Sequence, residues 1–192
     1  MFVEAMILGL AISFLLGGRM DNLEYLDIKG WYLIIIGTVL QLVSLFLAKY
    51  SFAIYIQLTG IVFVIIVLML NMNLRGFWLM LFGGMLNFLA VVLNGNKMPV
   101  NPIIIENNKL SSFMDMIVDG EIINYLSTSV GGWSAMLGKI MMTPQWYPFP
   151  NILSIGDIVI SVGIIWFIYG ETRRKNYRKK SKMVQYTYKS RI

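Results

Sequence analysis

The chain has 192 residues, 57% of them hydrophobic and 14% charged, with a formal net charge of +6. A soluble domain of this length carries about 25% charged residues, so a single unit built in a membrane is the expectation. Cysteine and histidine are both missing, which excludes disulfides, thiolate metal sites, Ser-His-Asp catalysis and zinc or haem held by histidine.

A membrane span needs roughly 20 mostly apolar residues, with a range of roughly 17–25. Five stretches qualify, at about 2–18, 31–48, 52–70, 77–93 and 152–169. The first has no positively charged start and no small-x-small cleavage site, so it reads as a retained helix rather than a signal peptide. A link rich in both charge signs comes next, from Arg19 to Lys29, and then the second span, opened by Trp31 and Tyr32. Tyr50, Tyr55, Phe77, Trp78, Trp166 and Tyr169 mark further span ends, as interfacial aromatics do. The short link 71–76 makes the third and fourth helices antiparallel neighbours. Inside the spans, Gln41, Ser44, Gln57, Thr59 and Asn87 are polar, and Gly83-Gly84 precedes Asn87. Small and amide residues of this kind hold helices together.

A long insert, 94–151, separates the fourth span from the fifth. Its apolar content predicts two short helices, near 111–127 and 133–142, before Pro144, Pro148 and Pro150 force an extended approach to the last span. The fold class expected is therefore all-α: a polytopic transmembrane helical bundle of about five spans, with a partly helical insert before the last. Residues 1–170 make the membrane domain and 171–192 a basic tail.

Orientation is set by lysine and arginine. Five spans with the N-terminus outside put Arg19, Lys29, Arg75 and the basic tail in the cytoplasm, against Lys49, Lys97, Lys109 and Lys139 outside, in accord with the positive-inside rule. The composition, rich in Ile, Asn, Lys and Tyr, suggests an AT-rich bacterial genome, and with the spans a bacterial cell membrane is the expected location. The tail, with Tyr177, Tyr186 and Tyr188 interleaved, reads as a topology signal touching anionic lipid rather than as a nucleic-acid binder.

Two segments stand out as candidate sites. In Asn94-Gly95-Asn96-Lys97-Met98-Pro99-Val100-Asn101-Pro102, Asn-Gly permits positive φ and the prolines keep the rest of the segment extended. Its plainer reading is a helix stop. In Ser154-Ile155-Gly156-Asp157 the carboxylate sits inside the fifth span. Such a group costs roughly 2.5–3.5 kcal/mol at mid-membrane and less near the interface, and it calls for a partner. Its plainer reading is a first-turn acid with Ser154 as the cap. Asp157 and Asn94 fall at the same outer face, with Lys97 as the expected counter-charge. Arg19, after Gly17-Gly18, lies at the opposite face and is expected to meet a lipid phosphate or a helix C-terminus.

No residue is assigned a catalytic role, and no metal or cofactor is expected. Ser134 with Lys139, or Ser111 with Lys109, lack specific spacing for Ser-Lys chemistry. Asp115, Asp119 and Glu121 lack a calcium-loop pattern.

These residues also carry a resemblance. Gly17-Gly18-Arg19, Gln41, Asn87, Asn94-Gly95-x-x-Met98-Pro99-Val100 and Ser154-Ile155-Gly156-Asp157 resemble an uncharacterised bacterial integral-membrane family, a domain of unknown function known chiefly from clostridia and relatives. The likeness runs to about Gly170. The family typically shows Leu-Gly-Asp before the prolines, where this chain has Leu137-Gly138-Lys139. The resemblance implies no activity, substrate or cofactor, but it links the turn and Asp157 as one feature. The expected binding set is Asn87, Asn94, Gly95, Lys97, Met98, Pro99 and Asp157, holding a small polar solute, an ion or a lipid headgroup in a permease-like or accessory protein. The rivals are a structural or interaction subunit, with a homo-oligomer or membrane partner, and a membrane enzyme acting on lipid or peptide, which the lack of histidine disfavours.

Overall fold

A computed structural model describes residues 1–47, 49–101, 125–127, 132–143 and 151–174. Five α-helices lie within them: α1 (Phe2–Leu15), α2 (Trp31–Phe46), α3 (Ala53–Leu70), α4 (Phe77–Leu93) and α5 (Ile155–Thr172). A 3₁₀ turn, Met20–Tyr25, comes after α1. No proline interrupts any of these helices, so each apolar run carries an unbroken backbone ladder. Two of the helices, α3 and α5, are long and apolar enough to cross a membrane, and α1, α2 and α4 are shorter apolar helices.

The helices pack as neighbours in the order α2, α3, α4, α5, α1. The two ends of this order, α2 and α1, make no substantial contact with each other, so the arrangement is an open row rather than a closed ring. Close backbone approach holds the row together. A Cβ on Gly37 would stand 2.7 Å from the Gly60 carbonyl oxygen, and one on Gly60 would stand 2.6 Å from that of Gly37. Only glycine lets α2 and α3 cross this tightly, and the close approach multiplies dispersion contacts between the two backbones.

Asn71 fastens the start of α2 to the end of α3. Its Oδ1 accepts from the Lys29 N–H at 2.9 Å, and its Nδ2 donates to the carbonyls of Lys29 and Val67, each at 2.8 Å. The side chain is buried, so Asn71→Ala strands a backbone donor and acceptor. We expect a loss of about 2 kcal/mol, read as a lower midpoint of thermal unfolding in detergent micelles.

The expectation of an all-α fold is corrected by a small mixed sheet at the end where α4 stops and α5 starts. Its strands are β1 (Met98–Val100), β2 (Tyr125–Ser127), β3 (Lys139–Met142) and β4 (Ile152–Ser154), in the order β2-β1-β3-β4. β1 runs parallel to β2 and β3, while β3 and β4 are antiparallel, with Lys139 opposite Ser154. Where 133–142 was expected to be helical, a 3₁₀ turn (Ala135–Leu137) leads into β3. Of the helix expected at 111–127, residues 125–127 form β2 instead, and the rest lies outside the described residues, as do the three prolines after Thr143 and the tail beyond Arg174. The fifth span also divides, its first three residues forming β4 and α5 continuing to Thr172.

Burial explains why a chain this short makes a sheet here. All three residues of β1 are buried, and Met98 packs with Ala90 and Val91 of α4, against Leu58, Tyr125 and Leu137. Pro99 sits in an interior strand, where its missing N–H removes a ladder bond. Gly138 packs closely over Pro99, where a Cβ would meet the Pro99 carbonyl oxygen and ring.

Candidate functional site

The site begins with the passage from β4 into α5. Ser154 is extended (φ −96°, ψ 164°), and its hydroxyl caps the helix by accepting from the Asp157 N–H at 3.0 Å. The Asp157 carboxylate returns the bond, its Oδ2 accepting from the Ser154 N–H at 3.1 Å. This is a capping box with aspartate in the third helical position, and it satisfies two of the donors that every helix start leaves unpaired.

Asn87, on the neighbouring α4, closes the pattern into a ring. Its Nδ2 donates to Asp157 Oδ1 at 2.8 Å, and its Oδ1 accepts from the Ser154 hydroxyl at 2.7 Å. Gly156 leaves room for this amide, since a Cβ there would stand 2.2 Å from Asn87 Oδ1. Lys139 completes the set from the sheet. Because β3 pairs Lys139 with Ser154, the ammonium lies 3.1 Å from Asp157 Oδ2 and donates to the Ile152 carbonyl, also at 3.1 Å. The side chains of Lys139 and Asp157 are 18% and 12% exposed, so water screens the pair little and the charges hold each other firmly.

The counter-charge is therefore Lys139 and not Lys97. The Lys97 backbone N–H closes the turn onto the Asn94 carbonyl at 3.4 Å. Asn94 caps the end of α4, its Nδ2 reaching the Ala90 carbonyl at 2.7 Å. It also exchanges 3.2 Å bonds with Ser134, amide to carbonyl and hydroxyl to amide oxygen. Gly95 and Asn96 come next in the left-handed region, at φ 69° and 62°, and turn the chain back so that Met98 and Pro99 enter the sheet. The two segments singled out in the sequence thus meet through the sheet: Asn87, Asp157 and Ser154 bond directly, whereas Asn94, Gly95, Lys97, Met98 and Pro99 build the turn and strand that carry Lys139's neighbour.

At the other end of the helices, Arg19 meets a helix C-terminus through its backbone, whose N–H donates to the Thr172 carbonyl at 2.9 Å. Its side chain is 59% exposed. Three residues that sequence reasoning did not place here matter locally. Lys139 and Ser134 tie the insert to the helices, and Ser13 meets Thr172 hydroxyl to hydroxyl at 2.5 Å. The break Leu137-Gly138-Lys139 was the one sign in the sequence that position 139 is unusual.

Chemically, the ring of Asn87, Ser154, Asp157 and Lys139 holds its groups in fixed, mutually satisfied geometry. It fastens a sheet to a helix pair at a helix start. The molecule so defined is a mostly helical protein with two helices of membrane-spanning length and a small mixed sheet latched over the ends of α4 and α5. Residues 25–169 match the family described as a family of unknown function, DUF5317, and the chain belongs to that family. An uncharacterised protein of Thermotoga maritima is 28% identical over 172 residues, covering 87% of this chain and 89% of the relative. No solved structure matches the chain.

Proposed function

We propose that the protein is a multi-pass bacterial membrane protein, N-terminus outside and C-terminus cytoplasmic, that serves as a structural or interaction subunit. In this reading the sheet is a rigid outer platform, offered to a membrane partner or a second copy. The observation that carries it is the closed ring around Asp157. The Asp157 carboxylate already accepts from Asn87, Ser154 and Lys139, so a small solute would have to displace partners of a buried group rather than find free ones. The described helices form an open row, which accords with the same reading, since a path across the bilayer would need a second copy or a partner to enclose it.

The membrane placement is supported by the outer sides of the helices. Phe14, Leu15 and Phe46 are 77%, 82% and 88% exposed, in company with most of the large apolar residues of α1 and α2. Contiguous apolar surface on this scale is foreign to a protein surrounded by water and ordinary for one surrounded by lipid. The shorter helices pack beside α3 and α5, so a bilayer that takes the two long ones takes their neighbours.

The lack of cysteine makes the test direct. Trp133→Cys, exposed on the sheet side, is expected to react with a membrane-impermeant maleimide on intact cells, and Tyr186→Cys in the tail is expected to stay silent. Ser154→Cys is expected to react only after denaturation. Reaction of Ser154→Cys in native membranes would mean that water reaches the ring, and the solute-binding reading would replace this one. A silent Trp133→Cys with a reactive tail would invert the orientation.

A further inference from the structure

The motif Gly17-Gly18-Arg19 has no part in the ring around Asp157, and it lies at the far end of the helices. We propose that it builds a site for one anionic phospholipid, with the phosphate on the Arg19 guanidinium and an acyl chain in the groove along α1. The proposal rests on the proposed membrane placement, with this end at the cytoplasmic face.

The backbone of the motif is fixed. Gly17 (φ 77°) ends α1 in the left-handed region that glycine enters without cost. Gly18 is pressed against α1 and α5, so that a Cβ would fall 2.1 Å from the Ser13 hydroxyl and 2.9 Å from that of Thr172. The Thr172 carbonyl, at the end of α5, accepts both the Arg19 N–H at 2.9 Å and Asn22 Nδ2 at 2.6 Å. The helix end is thus satisfied by a backbone N–H and an amide, and the guanidinium is not needed there. Among the described residues its partner is Asp21 at 3.9 Å, a pair in which both side chains are more than half exposed. That separation is beyond hydrogen-bond length, and exposed pairs of this kind hold weakly.

The surface beside that cation is apolar. An open groove of about 380 Å³ is walled by Leu10, Ala11 and Phe14 of α1 and by Gly18 and Met20. Gly18 and Met20 are the two residues flanking Arg19, so the Arg19 backbone runs along the groove's edge and an exposed side chain of that length reaches its mouth. The remaining lining residue, Ser13, has its hydroxyl turned to Thr172. From Leu10 to the end of α1 is five residues, about 8 Å along the helix, roughly half the depth of one leaflet. A slot that is greasy at this depth with an exposed arginine beside its mouth is complementary to an amphiphile with an anionic head, and guanidinium is the side chain best shaped to grip phosphate oxygens. Among the described residues, three other cations near this helix end are engaged: Arg75 donates to the Gly170 carbonyl at 3.4 Å, Arg173 donates to the Tyr169 hydroxyl, and Arg174 pairs with Glu171 at 3.1 Å.

Native mass spectrometry of the full chain in neutral detergent tests this, titrating phosphatidylglycerol against phosphatidylcholine. The wild-type chain is expected to hold phosphatidylglycerol about tenfold more tightly, the equivalent of one charge-assisted hydrogen bond. Arg19→Gln should abolish the preference, Arg19→Lys should keep part of it, and Lys29→Gln, at the same face, should leave it intact. Leu10→Trp, which fills the groove, should weaken phosphatidylglycerol while helicity by circular dichroism is unchanged. An undiminished preference in Arg19→Gln overturns the proposal. So does full displacement of phosphatidylglycerol by millimolar inorganic phosphate, which would mean an anion site without a chain groove. Release of the wild-type protein from vesicles by carbonate would instead overturn the membrane placement itself.

Discussion

Asp157→Ala is expected to destabilise the protein by about 3 kcal/mol or more, the largest effect of any single substitution at the sheet end. Two losses combine. The helix start loses the carboxylate half of its capping box, which is worth about 1 kcal/mol. The Lys139 ammonium, 18% exposed, is left beside the Ile152 carbonyl with no counter-charge, and removing one partner of a buried pair costs about 3–5 kcal/mol. Asn87 loses the acceptor for its amide at the same time. Lys139→Met alone should cost less, because Asp157 keeps the Ser154 N–H and the Asn87 amide. Combining Asp157→Ala with Lys139→Met removes the stranded charge and should leave a smaller deficit of about 2 kcal/mol, that of the cap and of the Asn87 amide left without its acceptor. Unfolding in detergent monitored by tryptophan fluorescence gives all three values. Limited proteolysis gives the local counterpart, since a freed sheet should be cut within its strands well before the helices. An Asp157→Ala protein that melts and is cut like the wild type would show that the ring is not the latch.

The sequence made the helices legible and hid the sheet, for one physical reason. Runs of apolar residues without proline specify helices on their own, and the bounds expected for the third and fourth spans differ by at most one residue from α3 and α4. The strands are three or four residues long, one contains Pro99, and their apolar residues do not alternate. Such segments become strands only because distant partners meet them, β1 with β2 and β3 across the long insert, and no local pattern records that. The site divides along the same line. Ser154 and Asp157 form a local capping box and were readable as one. Asn87, one turn after Gly83, was readable as a polar contact between helices. Lys139 was not readable as the counter-charge, because its position depends on β3 placing it opposite Ser154. Lys97 was the nearer cation in the expected loop, but the turn at Gly95 and Asn96 draws its segment into the sheet.

Gly83→Ala and Gly84→Ala, adjacent and chemically identical changes, are expected to move stability in opposite directions. Gly83 faces α5 at a close backbone crossing of α4 and α5. An added Cβ would stand 2.5 Å from the Gly156 carbonyl oxygen and 2.9 Å from the Ile160 nitrogen. Both obstacles are backbone, so no rotamer change relieves them and the helices must separate, at a cost of about 1–3 kcal/mol. Gly156 presses back from the other side, its own added Cβ falling 2.6 Å from the Gly83 carbonyl. Separation also pulls Asn87, one turn further along the same face, away from Ser154 and Asp157, so part of the ring is lost with the packing. Gly84 points elsewhere. The nearest atom to a Cβ there is Leu68 Cδ1 at 4.0 Å, an ordinary contact, and alanine favours helix over glycine by up to about 1 kcal/mol. Gly84→Ala should therefore be neutral or slightly stabilising, and Gly83→Ala should lower the midpoint and raise proteolysis at the sheet together with Asp157→Ala. Equal, small effects at both positions would mean that α4 and α5 are free to part without loosening the ring, and that the sheet is held by Lys139 and the Asn94–Ser134 bonds instead.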